Sequence, residues 1–265
     1  MQMQKKTFIL ATDLDGTFLG GSDVERGELY RWIQAHRRRV GLIFVTGRDP
    51  HFIESLCGGF VPWPDFVVGD VGTTIAEVAA ETAGAGASNG GAKHHLIRPI
   101  PLLEAEIAVR WDNAGPLIRD ALKRAPGLSL QDTPFRHRVS YDLDPARYDP
   151  AAEQQVRALG YDVLISDNRY FDVLPKGVSK GPSLRRLLAH LSVPDRNVLV
   201  AGDTLNDLSL FETGLRGVAV SNSEPALIGR LAAHANAFRA SRPGAAGIAE
   251  AIRRFSFHPI MGATD

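Results

Sequence analysis

Phe8-Ile9-Leu10-Ala11-Thr12-Asp13-Leu14-Asp15-Gly16-Thr17-Phe18-Leu19-Gly20 is the stretch on which the reading of this chain turns. A short apolar run, too short for a helix, ends in two carboxylates spaced two apart. An uninterrupted run of this kind is a strand buried on both faces, as in a parallel sheet. Open α/β sheets hold their ligands at the carboxyl ends of such strands. Residues two apart on an extended strand share a face, so Asp13 and Asp15 crowd like charges unless a cation or a proton relieves them. Gly16 lets the chain turn away at once and leaves both carboxylates at the sheet edge. Two other readings meet the same residues. Asp-x-Asp-Gly can open a calcium loop, but such a loop needs Gly sixth and Glu twelfth, where this chain has Phe18 and Val24. Asp and Gly are also ordinary turn formers after a strand, and this stretch alone leaves that alternative open.

The 265 residues are enough for one large domain or two modest ones. Lys and Arg number 30, as do Asp and Glu, a balance that argues against a nucleic-acid or anionic-membrane surface. Arg37-Arg38-Arg39 falls at an expected helix end, where cations suit the dipole. The single cysteine, Cys57, excludes an internal disulfide framework, fits a reducing compartment and reads as a buried thiol. Lys5-Lys6 precedes an apolar run, but that run meets Asp13 too early for a secretion signal. No stretch approaches the length needed to span a bilayer. The expectation is a cytoplasmic protein, monomeric or a small homo-oligomer, with neither nucleic acid nor membrane as a partner.

After the first strand, Leu29, Trp32, Ile33 and His36 recur at helical spacing behind Asp23. Val40 to Thr46 is a second buried strand, ending in Thr46-Gly47-Arg48-Asp49. Pro50 opens a helix through Phe60, and Asp65 to Val71 forms a third strand. This alternation predicts an α/β fold with a doubly wound parallel sheet. Residues 79–92 are almost all small or polar and read as a flexible linker or exposed loop. A P-loop is excluded there, because Gly86-x4-Gly91 is followed by Ala92 rather than Lys. Next come helices through Leu102–Arg124, strands Leu128–Gln131 and Arg138–Leu143, a helix Pro150–Leu159, and strands Tyr161–Ser166 and Tyr170–Leu174. That mixture predicts a second, α+β domain inserted into the first. The main rhythm resumes at Lys180. A strand Asn197–Ala201 ends in Gly202-Asp203-Thr204-Leu205-Asn206-Asp207, helices and strands alternate to Phe255, and the last ten residues read as a loose tail.

Three buried strands thus end in Asp13/Asp15, Thr46 and Asp203/Asn206/Asp207, with Lys180 opening a helix nearby. Together they supply an acidic cluster for a hard cation, and a hydroxyl and a cation for an anion. Magnesium prefers one or two carboxylates and keeps room for waters and a substrate phosphate. A carboxylate attacking phosphorus needs metal and Lys to screen the repulsion between two anions. An Asp two residues on can protonate the leaving oxygen and later activate water.

The ordered set Asp13-Leu-Asp15-Gly-Thr17, Thr46-Gly-Arg48, Lys180-Gly and Gly202-Asp203-x-x-Asn206-Asp207 resembles the haloacid-dehalogenase-like (HAD) phosphatases. The resemblance implies a Rossmann-like core, an aspartyl-phosphate intermediate and Mg2+. It implies Asp13 as nucleophile and metal ligand, and Asp15 as acid/base, giving its backbone carbonyl to the metal. Thr46 and the Gly47 amide would hold the phosphoryl oxygens and Lys180 would neutralise them. Asp203 would complete the metal shell, Asn206 would touch the phosphoryl group, and Asp207 would orient the others.

The long insertion resembles a C2-type cap of the Cof-like kind, expected over residues 79–176, with the core formed by 1–78 and 177–265. Val71-Gly-Thr-Thr-Ile75, Arg138-Val-Ser-Tyr141 with Asp144-Pro145, and Phe171-Asp-Val-Leu-Pro175 resemble the sucrose-phosphate phosphatases. The implied activity is Mg2+-dependent hydrolysis of a sugar phosphate, a disaccharide phosphate like sucrose 6-phosphate. Relatives with this outline also act on mannosylfructose phosphate and aminosugar phosphates, and the Gly/Ala-rich segment departs from the pattern. A phosphomutase of the same superfamily and a non-enzymatic phosphate- or metal-binding module are the rival readings. Arg138, Ser140 and Asp142 alternate onto one strand face, and Asn168 and Arg169 precede the strand that returns to the core. These five are the expected sugar contacts, against the plainer reading of a solvated sheet face.

Overall fold

Phe8–Thr12 forms strand β1, with every residue buried. Phe8 and Leu10 enter one apolar cluster while Ile9 and Ala11 enter another, the period-two alternation of a strand covered on both faces. Phe8, Ile9 and Leu10 each contribute about 1.5–3 kcal/mol on burial, and β1 is the seam of two cores. The computed structural model describes residues 3–81, 94–133 and 135–257.

From β1 the chain forms α1 (Asp23–Ala35), β2 (Val40–Val45), α2 (Pro50–Leu56) and β3 (Phe66–Gly69). Ser22 and Glu25 cap α1 reciprocally through side chain and backbone, so this helix starts where its sequence says it should. Next come β4 (Thr74–Glu81), β5 (His94–Pro99), α3 (Pro101–Trp111), α4 (Gly115–Ala121), β6 (Leu128–Leu130) and β7 (Val139–Leu143). They are followed by α5 (Ala151–Ala158), β8 (Asp162–Ser166), β9 (Tyr170–Leu174), α6 (Lys180–His190) and β10 (Val198–Gly202). The chain closes with α7 (Leu208–Phe211), β11 (Arg216–Ala219), α8 (Pro225–Leu231), β12 (Ala237–Arg239) and α9 (Gly244–Arg254).

The main sheet has the order β12-β11-β10-β1-β2-β3-β4-β5. Pairing is parallel from β12 to β3, and β4 and β5 are antiparallel additions at one edge. The chain winds outward from β1 through β2 and β3, then returns to β10 on the other side of β1. The crevice at the carboxyl ends of β1 and β10 is therefore the topological switch point, where such sheets bind ligands. A second sheet, β6-β7-β9-β8, is wholly antiparallel. One face of it, with Val139, Tyr141, Phe171 and Val173, packs on Trp111, Ile118 and Val156 as a separate apolar cluster. This is the inserted α+β unit on a doubly wound, Rossmann-like core.

Three details differ from the sequence reading. No strands were expected at β4 and β5, yet both pair in the main sheet, so the boundary expected at residue 79 falls inside a core strand. Ile100, Leu103 and Ile107 at the start of α3 also join the core cluster. The physical reason is pairing: β4 completes the open edge of β3, and Ile75 and Ala76 bury against opposite faces of the sheet. The linker assigned to residues 79–92 falls outside the described residues from 82 onward. The helix opened by Pro50 stops at Leu56 rather than Phe60, and Phe257, expected in a loose tail, packs on Phe8 at 4.8 Å between ring centroids, while the rest of that expected tail lies outside the described residues.

Candidate active site

Asp13 stands at the end of β1, where its N–H donates to the Ala201 carbonyl of β10 at 2.9 Å. The chain then turns through Gly16 at φ +76°, and a Cβ there would lie 2.1 Å from Asp203 Oδ2. Only glycine permits both the left-handed backbone and that approach. Thr17 closes the same turn by donating its hydroxyl to Asp203 Oδ1 at 2.6 Å. Two strand ends are thereby tied together, and the sequence distance between them vanishes.

Lys180, the first residue of α6, is buried to 1% exposure. Its ammonium donates to Asp13 Oδ1, Asn206 Oδ1 and Asp207 Oδ1, each at 2.7 Å. That uses all three of its hydrogens. Burial alone would lower its pKa, but the charges of Asp13 and Asp207 prevail and hold it above its ordinary value. Asp207, fully buried, accepts on Oδ2 from the N–H groups of Asp203 (3.0 Å) and Thr204 (3.1 Å). It is occupied in holding the loop and the lysine. Asn206 spends its amide oxygen on Lys180 and on the Thr204 hydroxyl, so its NH2 is the end left for a ligand.

Single ligand oxygens of Asp13, Asp203 and Asp207 all lie within 4.8 Å of one another. Three carboxylates against one ammonium leave the cluster with excess negative charge. Burial drives the Asp203 pKa up to about 7, with Asp207 adding to the effect. Burial likewise drives Asp13 well above the carboxylate range, opposed by Lys180 and reinforced by Asp207 and Asp203. All-oxygen donors with unbalanced charge are the chemistry that a hard divalent cation satisfies.

Thr46, 1% exposed, follows β2, and its hydroxyl oxygen accepts from the Arg48 N–H at 3.1 Å. Asp15 departs from the acidic cluster. Its carboxylate is half exposed and takes a two-pronged contact from Arg48, Nε at 2.9 Å and Nη2 at 3.2 Å. The Arg48 guanidinium in turn lies 4.6 Å from the Phe52 ring centroid. The structure thus brings Asp13, Lys180, Asp203, Asn206 and Asp207 into one network and holds the Asp15 side chain at its rim.

The five expected sugar contacts separate. Arg138 is buried, donating to Asp172 Oδ1 and to the Gly47 carbonyl, each at 3.2 Å. Ser140 donates its hydroxyl to the same Asp172 oxygen. Asp142 is exposed and accepts from Gln131 at 2.9 Å. Asp167 and Asn168 both have positive φ and are the central pair of the turn that the Arg169 N–H closes onto the Ser166 carbonyl at 3.0 Å, within the three-residue connection between β8 and β9. Arg169 lies over the Tyr170 ring at 5.3 Å.

Glu224 and Asn222 were not singled out in the sequence. Glu224 accepts from the Leu205 N–H at 2.8 Å, and Asn222 donates to the Gly16 carbonyl at 3.0 Å, so both brace the loops around Asp203. Ser221-Asn-Ser-Glu-Pro225 is another polar cluster behind a buried strand. The rule that found the other three would have found it.

The family pattern of sucrose-6F-phosphate phosphohydrolase matches residues 6–256. The chain belongs to that family. Its parallel core and inserted second sheet are accordingly those of a HAD-type fold. Glucosylglycerol-phosphate synthase of Pseudomonas anguilliseptica is 38% identical over 94% of this chain, which spans only 31% of that relative's length. Mannosylfructose-phosphate phosphatase of Agrobacterium fabrum is 27% identical over 95% of this chain and 98% of its own. The crystal structure of the Synechocystis sucrose-phosphatase with sucrose and phosphate superposes with a TM-score of 0.79 at 25% identity, covering 95% of this chain and 98% of that one. Among the described residues no helix is long and apolar enough to cross a membrane.

Proposed function

We propose that this phosphatase is Mg2+-dependent, works through a phosphorylated Asp13, and removes phosphate from a glycoside whose second unit carries the ester. The observation that carries the reading is the buried Asp13–Lys180–Asp207 network at the switch point, joined to Asp203 through Thr17. Asp13, Asp203 and the Asp15 carbonyl are the oxygens that would hold Mg2+. When bound, it supplies positive charge that screens the two anions brought together in phosphoryl transfer. An Asp13 carboxylate oxygen attacks phosphorus as the P–O bond to the sugar breaks. Asp15 gives its proton to the departing sugar oxygen, then takes one from the water that cleaves the acyl phosphate. Thr46, the Gly47 amide and the Asn206 NH2 hold the phosphoryl oxygens, and the Lys180 ammonium offsets the charge that develops on them.

The compounds in the three relatives' names share a hexosyl unit joined to fructose or to glycerol. That common outline supports a phosphorylated glycoside rather than a free hexose phosphate, with the second sheet, residues 128–174, as the part that meets the glycosyl unit. A phosphate-release screen over sucrose 6-phosphate, mannosylfructose phosphate, glucosylglycerol phosphate and glucose 6-phosphate, with and without EDTA, tests this. One of the first three is expected to exceed glucose 6-phosphate at least about tenfold in kcat/KM, and EDTA to abolish turnover. Equal rates on all four, or full activity in EDTA, overturn the reading.

A further inference from the structure

The turn behind β3 is strained. Asp70, Val71 and Gly72 have φ of +52°, +59° and +100°. A β-branched residue in the left-handed region is disfavoured and persists only where its surroundings over-determine it. Here they do. The Asp70 N–H donates to the Arg48 carbonyl at 3.0 Å and the Val71 N–H to the Thr46 carbonyl at 3.1 Å. The Val71 side chain lies against Gly47, within 3.8 Å of where a Cβ would stand. On its other flank, the Gly72 carbonyl accepts from the Ser183 hydroxyl at 2.6 Å. A Cβ on Gly72 would come within 2.4 Å of the Ser179 carbonyl carbon, directly before Lys180. The turn therefore abuts both the loop that carries Thr46 and Gly47 and the helix start that carries Lys180.

Arg138 reaches this turn from the second sheet. Its Nη1 donates to Asp172 Oδ1 at 3.2 Å, its Nη2 donates to the Gly47 carbonyl at 3.2 Å, and the same Nη2 lies 3.7 Å from Asp70 Oδ1. Phe135 covers the guanidinium at 3.6 Å from its ring centroid. Asp70 Oδ1 is buried with no hydrogen bond, and Arg138 is its ion-pair partner. A guanidinium withdrawn from water between two carboxylates is committed to them, because leaving either charge unpaired is costly. Such a group is poorly placed to read a sugar.

We propose that Arg138 is a positioning residue for phosphoryl transfer: it joins Asp172 of the cap sheet to Asp70 and the Gly47 carbonyl, and so makes the setting of the Gly47 amide and Lys180 depend on the docked cap. The proposal rests on the reading of Thr46 and Gly47 as groups that hold the phosphoryl oxygens and of Lys180 as the cation that neutralises them. A sugar ligand affects only substrates that carry the sugar. A positioning residue affects every phosphate ester, including one too small to touch the cap.

The test uses the full chain and its Arg138→Lys, Asp70→Asn and double variants, with Thr46→Ala alongside. Each is assayed on p-nitrophenyl phosphate and sucrose 6-phosphate, with near-ultraviolet circular dichroism to follow packing. Arg138→Lys and Asp70→Asn are expected to lower kcat on p-nitrophenyl phosphate about tenfold or more, with KM within about twofold and packing unchanged. The double variant is expected to be no worse than the poorer single one, as for residues acting in one unit. Unchanged turnover of p-nitrophenyl phosphate, a loss confined to sucrose 6-phosphate, multiplying effects in the double variant, or a loss that tracks disrupted packing overturns the proposal. Full activity of Thr46→Ala would overturn the reading of the phosphate site instead, and the proposal with it.

Discussion

Asp13 carries the clearest demand at the scale of single residues. Its carboxylate is buried, held by one ammonium and crowded by two other acids, so it is both confined and short of positive charge. Asn in its place keeps the shape and removes the nucleophile. Asp13→Asn is expected to lower kcat at least about 10⁴-fold while the protein stays folded, read by phosphate release and circular dichroism. A tenth of wild-type activity in that variant would contradict an aspartyl-phosphate route. Burial acts on Cys57 in the same direction. Burial pushes its thiol up to about 12, so at pH 8 only about one molecule in 10⁴ carries the thiolate. Iodoacetamide is expected to leave the native chain unmodified at pH 8 and to label it promptly in denaturant, followed by mass spectrometry.

At the scale of elements, the turn that leaves β1 matters as much as the strand. Gly16 holds a left-handed backbone against Asp203, and alanine there meets both the intrinsic cost, about 1–2 kcal/mol, and the carboxylate itself. Gly16→Ala is expected to lower the melting temperature by several degrees and to raise the Mg2+ concentration needed for half-maximal activity. Calorimetry and a metal titration measure the two effects, and a variant with wild-type values of both would mean the turn tolerates a side chain. The hairpin β8–β9 makes a related point. Asn168 looks like a ligand in the sequence but serves its own backbone, as one of the two positive-φ residues at the centre of that hairpin's turn. Arg169, the next residue, remains beside Tyr170 and is the better candidate for sugar contact.

At the scale of the whole molecule, the crevice of the main sheet and a second sheet with its own apolar core are separate units. If the second sheet chooses the sugar, Arg169→Ala lowers kcat/KM on the preferred phosphorylated glycoside by about 1–3 kcal/mol and leaves p-nitrophenyl phosphate nearly unchanged. Equal losses on both esters would remove Arg169 from the sugar site. Mg2+ acts on the same scale. A ligand at a hundred times its dissociation constant stabilises the native state by about 2.7 kcal/mol. Relief of the three-acid cluster is therefore expected to raise the melting temperature by several degrees in Mg2+ over EDTA. An identical melting temperature in the two buffers would mean that the cluster holds no metal.

The sequence by itself determined the parallel core, the order of its motifs and the residues of the charged network. Each of these is a local signal: an apolar run long enough for a strand, followed at once by a polar cluster at its carboxyl end. Asp13, Thr46, Asp203, Asn206 and Asp207 were legible for that reason, and Lys180 as the start of a helix nearby. Strands β4 and β5 were not, because their small and mixed residues form strands only by completing the open edge of β3. Nor was the outward set of Asp15 toward Arg48, nor the use of Arg138 between Asp70 and Asp172, 68 and 34 positions away. Alternation along a strand tells which side chains share a face, not what lies opposite that face. Only the packing of the second sheet against the loops behind β2 and β3 decided that Arg138 would meet two buried carboxylates, because the partner of a buried charge is set by tertiary contact.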